Sequence, residues 1–326
     1  MGYNTADYIK IRNEFSDKYQ IARQRAEERR VRIHAEIPEI FEIDKTLSRT
    51  GMDIMGIITS GGNTEKRIAE LEARNNALVA EREAILTSHG YPADYTDVHY
   101  DCERCGDTGF VDTVMCDCMK RALVKAGFES SGLGGLIGKQ RFDNFDLGYY
   151  DEANDSRKRV AKSLETLKRF ADNFCDSTYS NFILIGTTGL GKTHLSTAVA
   201  ERVIERGFDV LYVSATAMLA DFEEKRFGNG SAAATGNDTA RYYDCDLLII
   251  DDLGAEVVNK FTQSYLYDVI NSRMNNRRCT IINTNLTPTE IMSVYAERIH
   301  SRIFGEYLPM PFSGVDIRKQ KSLGAR

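Results

Sequence analysis

The sequence predicts an α/β fold built on a parallel sheet, preceded by a helical region and a small metal-binding module. Three observations carry that prediction. From about Lys139 onward, short aliphatic runs alternate with amphipathic helical patterns, the texture of a parallel sheet covered on both faces. Residues 1–95 are instead charged and helix-prone. Between the two, four of the seven cysteines fall within CERCGDTGFVDTVMCDC, Cys102 to Cys118.

A chain of 326 residues exceeds what one core usually organises. The expected division is a helical region over 1–95, a cysteine module over 96–125 and an α/β domain over 139–326. A formal charge of -6 gives no global footprint of a nucleic-acid binder, although clustered basic residues can still make a local one. No apolar run reaches bilayer length, and MGYNTADYIKIRNEF lacks the charged-then-apolar pattern of a secretory signal, so a cytoplasmic protein without membrane contact is expected. Gly2 does not open a myristoylation motif, because Ala6 stands where Ser or Thr is needed. In a reducing compartment, clustered cysteines favour metal over disulfides, and the scattered Cys175, Cys245 and Cys279 are expected to be small buried apolar residues.

Along the chain, IARQRAEERRVRIHAEI (21–37) predicts a basic amphipathic helix that Pro38 kinks or restarts before EIFEIDKTL. TSGG (59–62) predicts a flexible break. Apolar residues then recur at Ile68, Leu71, Leu78 and Ile85, with Asn75 and Arg82 at intervening seam positions, a short imperfect heptad. HGYP (89–92) ends the helical region. These helices either pack only on themselves or present a partner-binding surface. In the α/β part, NFILI (181–185), DVLYV (209–213), LLII (247–250) and TIIN (280–283) predict buried strands, and YLPMPF (307–312) an edge strand. GNGSAAATGNDTA (228–240) is too small and polar to pack and predicts a mobile loop.

Directly after the first of these strands comes GTTGLGKTHL, fitting G-x-x-x-x-G-K-[ST]. Gly186, Thr187, Thr188, Gly189, Leu190, Gly191, Lys192, Thr193 and His194 form the expected nucleotide cradle. The glycines let backbone N–H groups wrap phosphates, the helix N-terminus adds positive dipole, Lys192 reaches the outer phosphates and Thr193 ligates Mg²⁺. A glycine-rich turn with an accidental lysine is the competing reading, and the strand-then-helix context opposes it. Downstream, DLLIIDDLG ends a buried strand in two carboxylates. Asp251 is expected to hold Mg²⁺ and Asp252 to polarise an attacking water. INTNL (282–286) places Asn285, and less favourably Thr284, where an amide could orient that water. ERIHSRIFGE carries Arg298 and Arg302 on one helical face, either as surface salt-bridging residues or reaching a neighbouring subunit's γ-phosphate.

Cys102, Cys105, Cys116 and Cys118, as C-x₂-C and C-x-C ten residues apart, supply four thiolates for a closed tetrahedral zinc site, with Gly106 and Gly109 permitting tight turns. A closed site has no open position for substrate, so a structural clip is favoured over redox or iron–sulfur use. His99 is treated as an ordinary histidine.

GKTHL, LLIIDDLG, the TN-ended strand and the arginine helix, in that order, resemble an AAA+ ATPase, and more narrowly the bacterial DnaC/DnaI helicase loaders and the related IstB transposition ATPases, over about Arg141 to Arg318. The resemblance implies a five-stranded parallel sheet with little or no lid, since few residues follow Arg318. It also implies that Asn285 is a sensor, Arg302 an arginine finger with Arg298 as competitor, and Arg318 a second sensor reading nucleotide in the same subunit. CGDTGFV ending in CDC resembles the zinc-bearing N-terminal module of DnaI-type loaders. The function so implied is ATP-dependent loading of the replicative hexameric DNA helicase onto single-stranded DNA, with self-association through the ATPase domain. Asp252, where a glutamate is common in AAA+ motors, suggests a slow, switch-like ATPase. Lys225, Arg226, Phe222 and Phe227 are candidate DNA contacts, set against solvated charges and core aromatics. An IstB-like transposition ATPase and an ATP-gated adaptor without a DNA role are the alternatives.

Overall fold

A computed structural model describes residues 3–60, 64–136, 138–152, 155–227 and 239–324. The chain divides into two compact units, Arg12–Met119 and Met1–Ile11 with Lys120–Arg326. Gly61 and Gly62 of the predicted break and residues 228–238 of the predicted loop lie outside the described residues.

Helix α1 spans Thr5–Glu36, sixteen residues earlier in its start than the periodicity suggested, with the Asn4 side chain accepting the Asp7 N–H at its first turn. Ile37 is extended, as a residue before proline must be, and Pro38 occupies the first turn of α2 (Pro38–Leu47), where its missing N–H costs nothing. Helices α3 (Thr50–Ser60) and α4 (Thr64–Ser88) follow. Ile33, Ile37, Ile40 and Leu86 form a buried cluster. The polar seam positions of α4 are paired inside this bundle: Asn75 donates to Thr50 Oγ1 at 3.0 Å, and Arg82 to Asp44 at 2.7 Å, which also meets His34 at 2.7 Å. The heptad stripe therefore faces the chain's own helices, while Met52, Met55 and Ile58 leave α3 with an exposed apolar line.

The cysteine segment folds around a hairpin, β1 (Phe110–Val111) with β2 (Val114–Met115). Asp107, nearly fully buried, accepts the Asp101 and Cys102 backbone N–H groups, each at 2.8 Å, and so closes the knuckle from within. Helix α5 spans Asp117–Ser130.

The remaining elements are α6 (Ser156–Asp172), β3 (Asn181–Ile185), α7 (Lys192–Glu205), β4 (Val210–Ser214), α8 (Ala215–Phe227), α9 (Arg241–Asp244), β5 (Leu247–Leu253), α10 (Lys260–Asn275), β6 (Cys279–Thr284), α11 (Pro288–Val294), α12 (Glu297–Glu306), β7 (Tyr307–Pro311) and α13 (Ile317–Gly324). The five strands from β3 to β7 form one sheet in the order β4-β5-β6-β3-β7, every pair parallel, as the aliphatic runs predicted. One face packs on α6 and α7 through Val160, Leu167, Leu195 and Val199, the other on α8, α10 and α12 through Leu219, Leu266, Ile299 and Ile303. Burial on both faces is why these strands read as continuous aliphatic runs rather than alternating ones. β7 is an edge strand. Because Phe312 N–H points to Ile185 O on β3 at 2.7 Å, alternate residues Pro309 and Pro311 face the open edge, which thus lacks donors at those positions.

One expectation is corrected, and one choice between readings is decided. Cys175 is exposed, whereas Cys245 and Cys279 are buried. It sits in the segment between α6 and β3, where its thiol meets the Ser177 and Thr178 hydroxyls, each at 3.3 Å, while the neighbouring Phe174 fills the core. Phe222 is buried and stacks on Tyr265 at 4.8 Å, so it belongs to the core and is closed to a nucleobase. The Phe227 side chain lies outside the description.

Candidate nucleotide-binding site

The site forms where β3 gives way to α7. Gly191 takes a left-handed φ of 80° to turn the chain into the helix, and a Cβ there would meet Phe145 and Tyr150 at 2.8 Å. Gly189 has a left-handed φ of 79°, and a Cβ there would run into the Asp316 carboxylate and displace it. Ile317 N–H donates to Gly189 O at 2.9 Å, and Tyr150 OH to Leu190 O at 2.8 Å, fixing the loop from two sides.

Lys192 is buried, and its ammonium donates to Gly186 O at 2.5 Å, Thr187 O at 2.9 Å and Asn285 Oδ1 at 2.7 Å. All three donors are thereby aimed into the loop mouth. Burial pushes its pKa below the ordinary lysine value, an effect opposed by the nearby charges of Asp252 and Asp251. Thr193 Oγ1 lies 3.3 and 3.2 Å from the two Asp251 oxygens.

Consecutive residues of a regular strand point to opposite faces. Between Ile250 and Leu253 the β5 and β6 register shifts, and Asp252 takes a positive φ of 54°. This irregularity separates the two carboxylates' roles: Asp251 is buried against Thr193, whereas Asp252 is exposed on the cleft wall. Thr284 is fully buried with its hydroxyl donated to Leu253 O at 2.7 Å, which leaves Asn285 as the amide at the strand tip.

These groups open into a cleft of ≈ 240 Å³. Arg318 and Lys321 of α13 line it, as do Gln140, Asn144, Phe145, Asp146 and Tyr149. The last five were not found from the sequence. For Asn144, Phe145, Asp146 and Tyr149 the signal was the aromatic run RFDNFDLGYYD (141–151), which has no strand or helix periodicity. Phe145 meets the His194 ring edge-on at 5.2 Å. His194 Nε2 faces Arg141 O at 2.8 Å, so Nε2 carries the proton, and burial lowers its pKa.

Arg298 and Arg302 do not line this cleft. Arg298 lies over the Tyr267 ring at 4.6 Å, while Arg302 is exposed and makes no hydrogen bond or ion pair among the described residues. Two further residues escaped sequence reasoning: Tyr212, whose OH donates to Asp251, and Asn283, fully buried, whose amide donates to Asp251 Oδ1 at 2.8 Å.

In the other unit, Cys102, Cys105, Cys116 and Cys118 bring their sulfurs within 4.8 Å of one another. The Cys102–Cys116 and Cys105–Cys118 separations are 3.9 and 3.5 Å. Zn–S bonds of about 2.3 Å imply tetrahedral edges of about 3.8 Å, so the four thiols fit zinc. His99 is exposed near Asp94 and stands outside this set.

A family model of IstB-like ATP-binding proteins matches residues 133–302. The replicative helicase loader DnaC of Buchnera aphidicola subsp. Acyrthosiphon pisum is 25% identical over 178 residues, 53% of this chain and 66% of that protein. The replicative helicase loader DnaC of Escherichia coli is 24% identical over 177 residues, 54% of this chain and 67% of that protein. The chain thus spans about two thirds of the length of these relatives. Among solved structures, a DnaC helicase loader is matched at TM-score 0.46 and 20% identity, over 55% of this chain and 100% of that one. An AMPPCP-bound DnaA from Aquifex aeolicus is matched at TM-score 0.45 and 23% identity, over 58% and 56%. Among the described residues, no helix is long and apolar enough to cross a membrane.

Proposed function

The chain belongs to the IstB-like ATP-binding protein family, and from that premise we propose that it is an ATP-dependent loader of the replicative DNA helicase onto single-stranded DNA. The observation that carries the nucleotide part is the convergence of Lys192, Thr193, Asp251 and Asn285 at one loop mouth. The loader assignment is supported by relatives named replicative helicase loaders and by the attachment of a helical and four-cysteine unit to the ATPase domain.

Magnesium-bound ATP supplies the phosphoanhydride whose hydrolysis separates two states of the site. The chain's residues divide the remaining work. Backbone N–H groups of Gly189 to Thr193 cradle the phosphates, and Lys192 turns its donors from the loop carbonyls to the outer phosphates. Thr193 and Asp251 would hold the cation. Asp252 accepts the proton of the attacking water, which Asn285 orients. Arg318 reads the nucleotide from its own subunit, and Arg302, exposed and uncommitted, reaches a neighbour's site. Cys102, Cys105, Cys116 and Cys118 would hold zinc, which would brace the partner-binding unit without entering the chemistry. Asp252 sets slow turnover, suited to a timer that releases the loader.

Co-purification tests the reading. Wild-type and Asp252→Asn protein in ATP are expected to retain a hexameric helicase, with less recovered in ADP. Equal recovery in both nucleotides contradicts nucleotide gating. The family's IstB members support a second reading, in which a transposase is the protein retained.

A further inference from the structure

Asp251 is clamped from both sides by the strands that flank β5. The sheet order β4-β5-β6 places β4 on one side and β6 on the other. From β4, Tyr212 donates its OH to Asp251 Oδ2. From β6, Asn283, one residue beyond the Ile250–Ile282 pair, donates its amide to Asp251 Oδ1 at 2.8 Å. The Asn283 amide is itself anchored on Ser196 Oγ at 2.8 Å, and Ser196 donates to Thr193 O at 3.1 Å. Each carboxylate oxygen therefore has one lone pair occupied by the scaffold.

We propose that Tyr212 and Asn283 are positioning residues that fix the rotation of the Asp251 carboxylate, so that its remaining lone pairs face Thr193 and a divalent cation. The proposal rests on the nucleotide-site reading above and extends it to residues that touch neither nucleotide nor metal. An unclamped carboxylate on a two-torsion side chain would sample orientations, and each rotation away from Thr193 lowers its share in holding a cation. Partners that orient metal-binding carboxylates typically change metal affinity by 10- to 100-fold when removed.

The test is the ratio of ATP affinity in Mg²⁺ to that in EDTA, measured by calorimetry on the full chain, with Mn²⁺ binding followed by electron paramagnetic resonance. Tyr212→Phe removes one hydroxyl and keeps the ring. It is expected to leave the EDTA affinity and melting temperature unchanged, while lowering the Mg²⁺ gain and the Mn²⁺ affinity about ten-fold. Ser196→Ala, which cuts the anchor of Asn283, is expected to produce a smaller loss in the same direction. A Mg²⁺ gain equal to wild type in both variants overturns the clamp while leaving the nucleotide site intact, as does a uniform loss with and without metal. Absence of ATP binding by the wild-type chain overturns the nucleotide-site reading and the clamp with it.

Discussion

Replacing Asp252 by Asn tests the catalytic assignment with little structural cost. Asp252 is exposed on the cleft wall, and its positive φ of 54° is one that Asn adopts as readily as Asp. Its side chain makes no hydrogen bond among the described residues, and its one bond in the fold, from Ala255 N–H to its carbonyl, is kept by Asn, so melting temperature should not move. What changes is chemistry: the amide cannot take a proton from water. General-base catalysis contributes typically 10²- to 10⁴-fold, about 2.7 to 5.4 kcal/mol at 1.36 kcal/mol per decade. Single-turnover phosphate release should fall by that factor from a wild-type rate already below about 10 per second, the median for enzymes. The charge has a second effect, because Asp252 opposes the lowering of the Lys192 pKa by burial. Without it, that pKa drops further, so ATP affinity should be lost at lower pH in Asp252→Asn than in wild type. A variant that binds ATP and still hydrolyses it at more than a tenth of the wild-type rate refutes Asp252 as the base.

Three further outcomes are expected. Freshly purified protein should hold one zinc per chain by elemental analysis, and Cys105→Ser should release it and unfold the 12–119 unit, as seen by limited proteolysis; a metal-free native protein contradicts the clip. Arg302→Ala should cut assembled ATPase activity by about 10³-fold, as for other arginine fingers, while Arg298→Ala, which loses only its contact with Tyr267, should change it little. Mixing Arg302→Ala with Asp252→Asn should then restore activity, and failure of the mixture to do so removes the cross-subunit role. Cys175 should be the first thiol alkylated: hydrogen bonds from Ser177 and Thr178 lower its pKa to about 7, so its alkylation rate should climb through neutral pH, and a climb only near pH 9 would contradict that environment.

Most of the ATPase fold was legible because its signals are contiguous. A strand buried on both faces must be aliphatic along its length, and NFILI was read residue for residue as β3. The phosphate loop is equally local, since its function lies in successive backbone N–H groups. The helical region was less legible. The heptad of α4 marked a half-buried stripe and EIFEIDKTL marked α2, yet α3 was not read as an element, and the early start of α1 was missed although Ile11 and Phe15, four apart, are buried. Residues 141–151 were missed as a cleft wall because they are irregular and are held against the loop by contacts such as Tyr150 to Leu190.

By itself, then, the sequence determined the nucleotide loop, the strand-end carboxylates, the parallel sheet and the four-thiol cluster, each specified by residues close in the chain. Tertiary structure alone decided which carboxylate is buried and which faces solvent, because that depends on a register shift between β5 and β6. It decided that Arg298 is held by an aromatic ring while Arg302 makes no hydrogen bond or ion pair among the described residues, a difference that spacing on one helix face cannot reveal. It also decided the clamp on Asp251, whose members lie 39 residues before it and 32 after it. Strand order makes them neighbours, and strand order is set by how the helices bury the sheet, which no local window of residues contains.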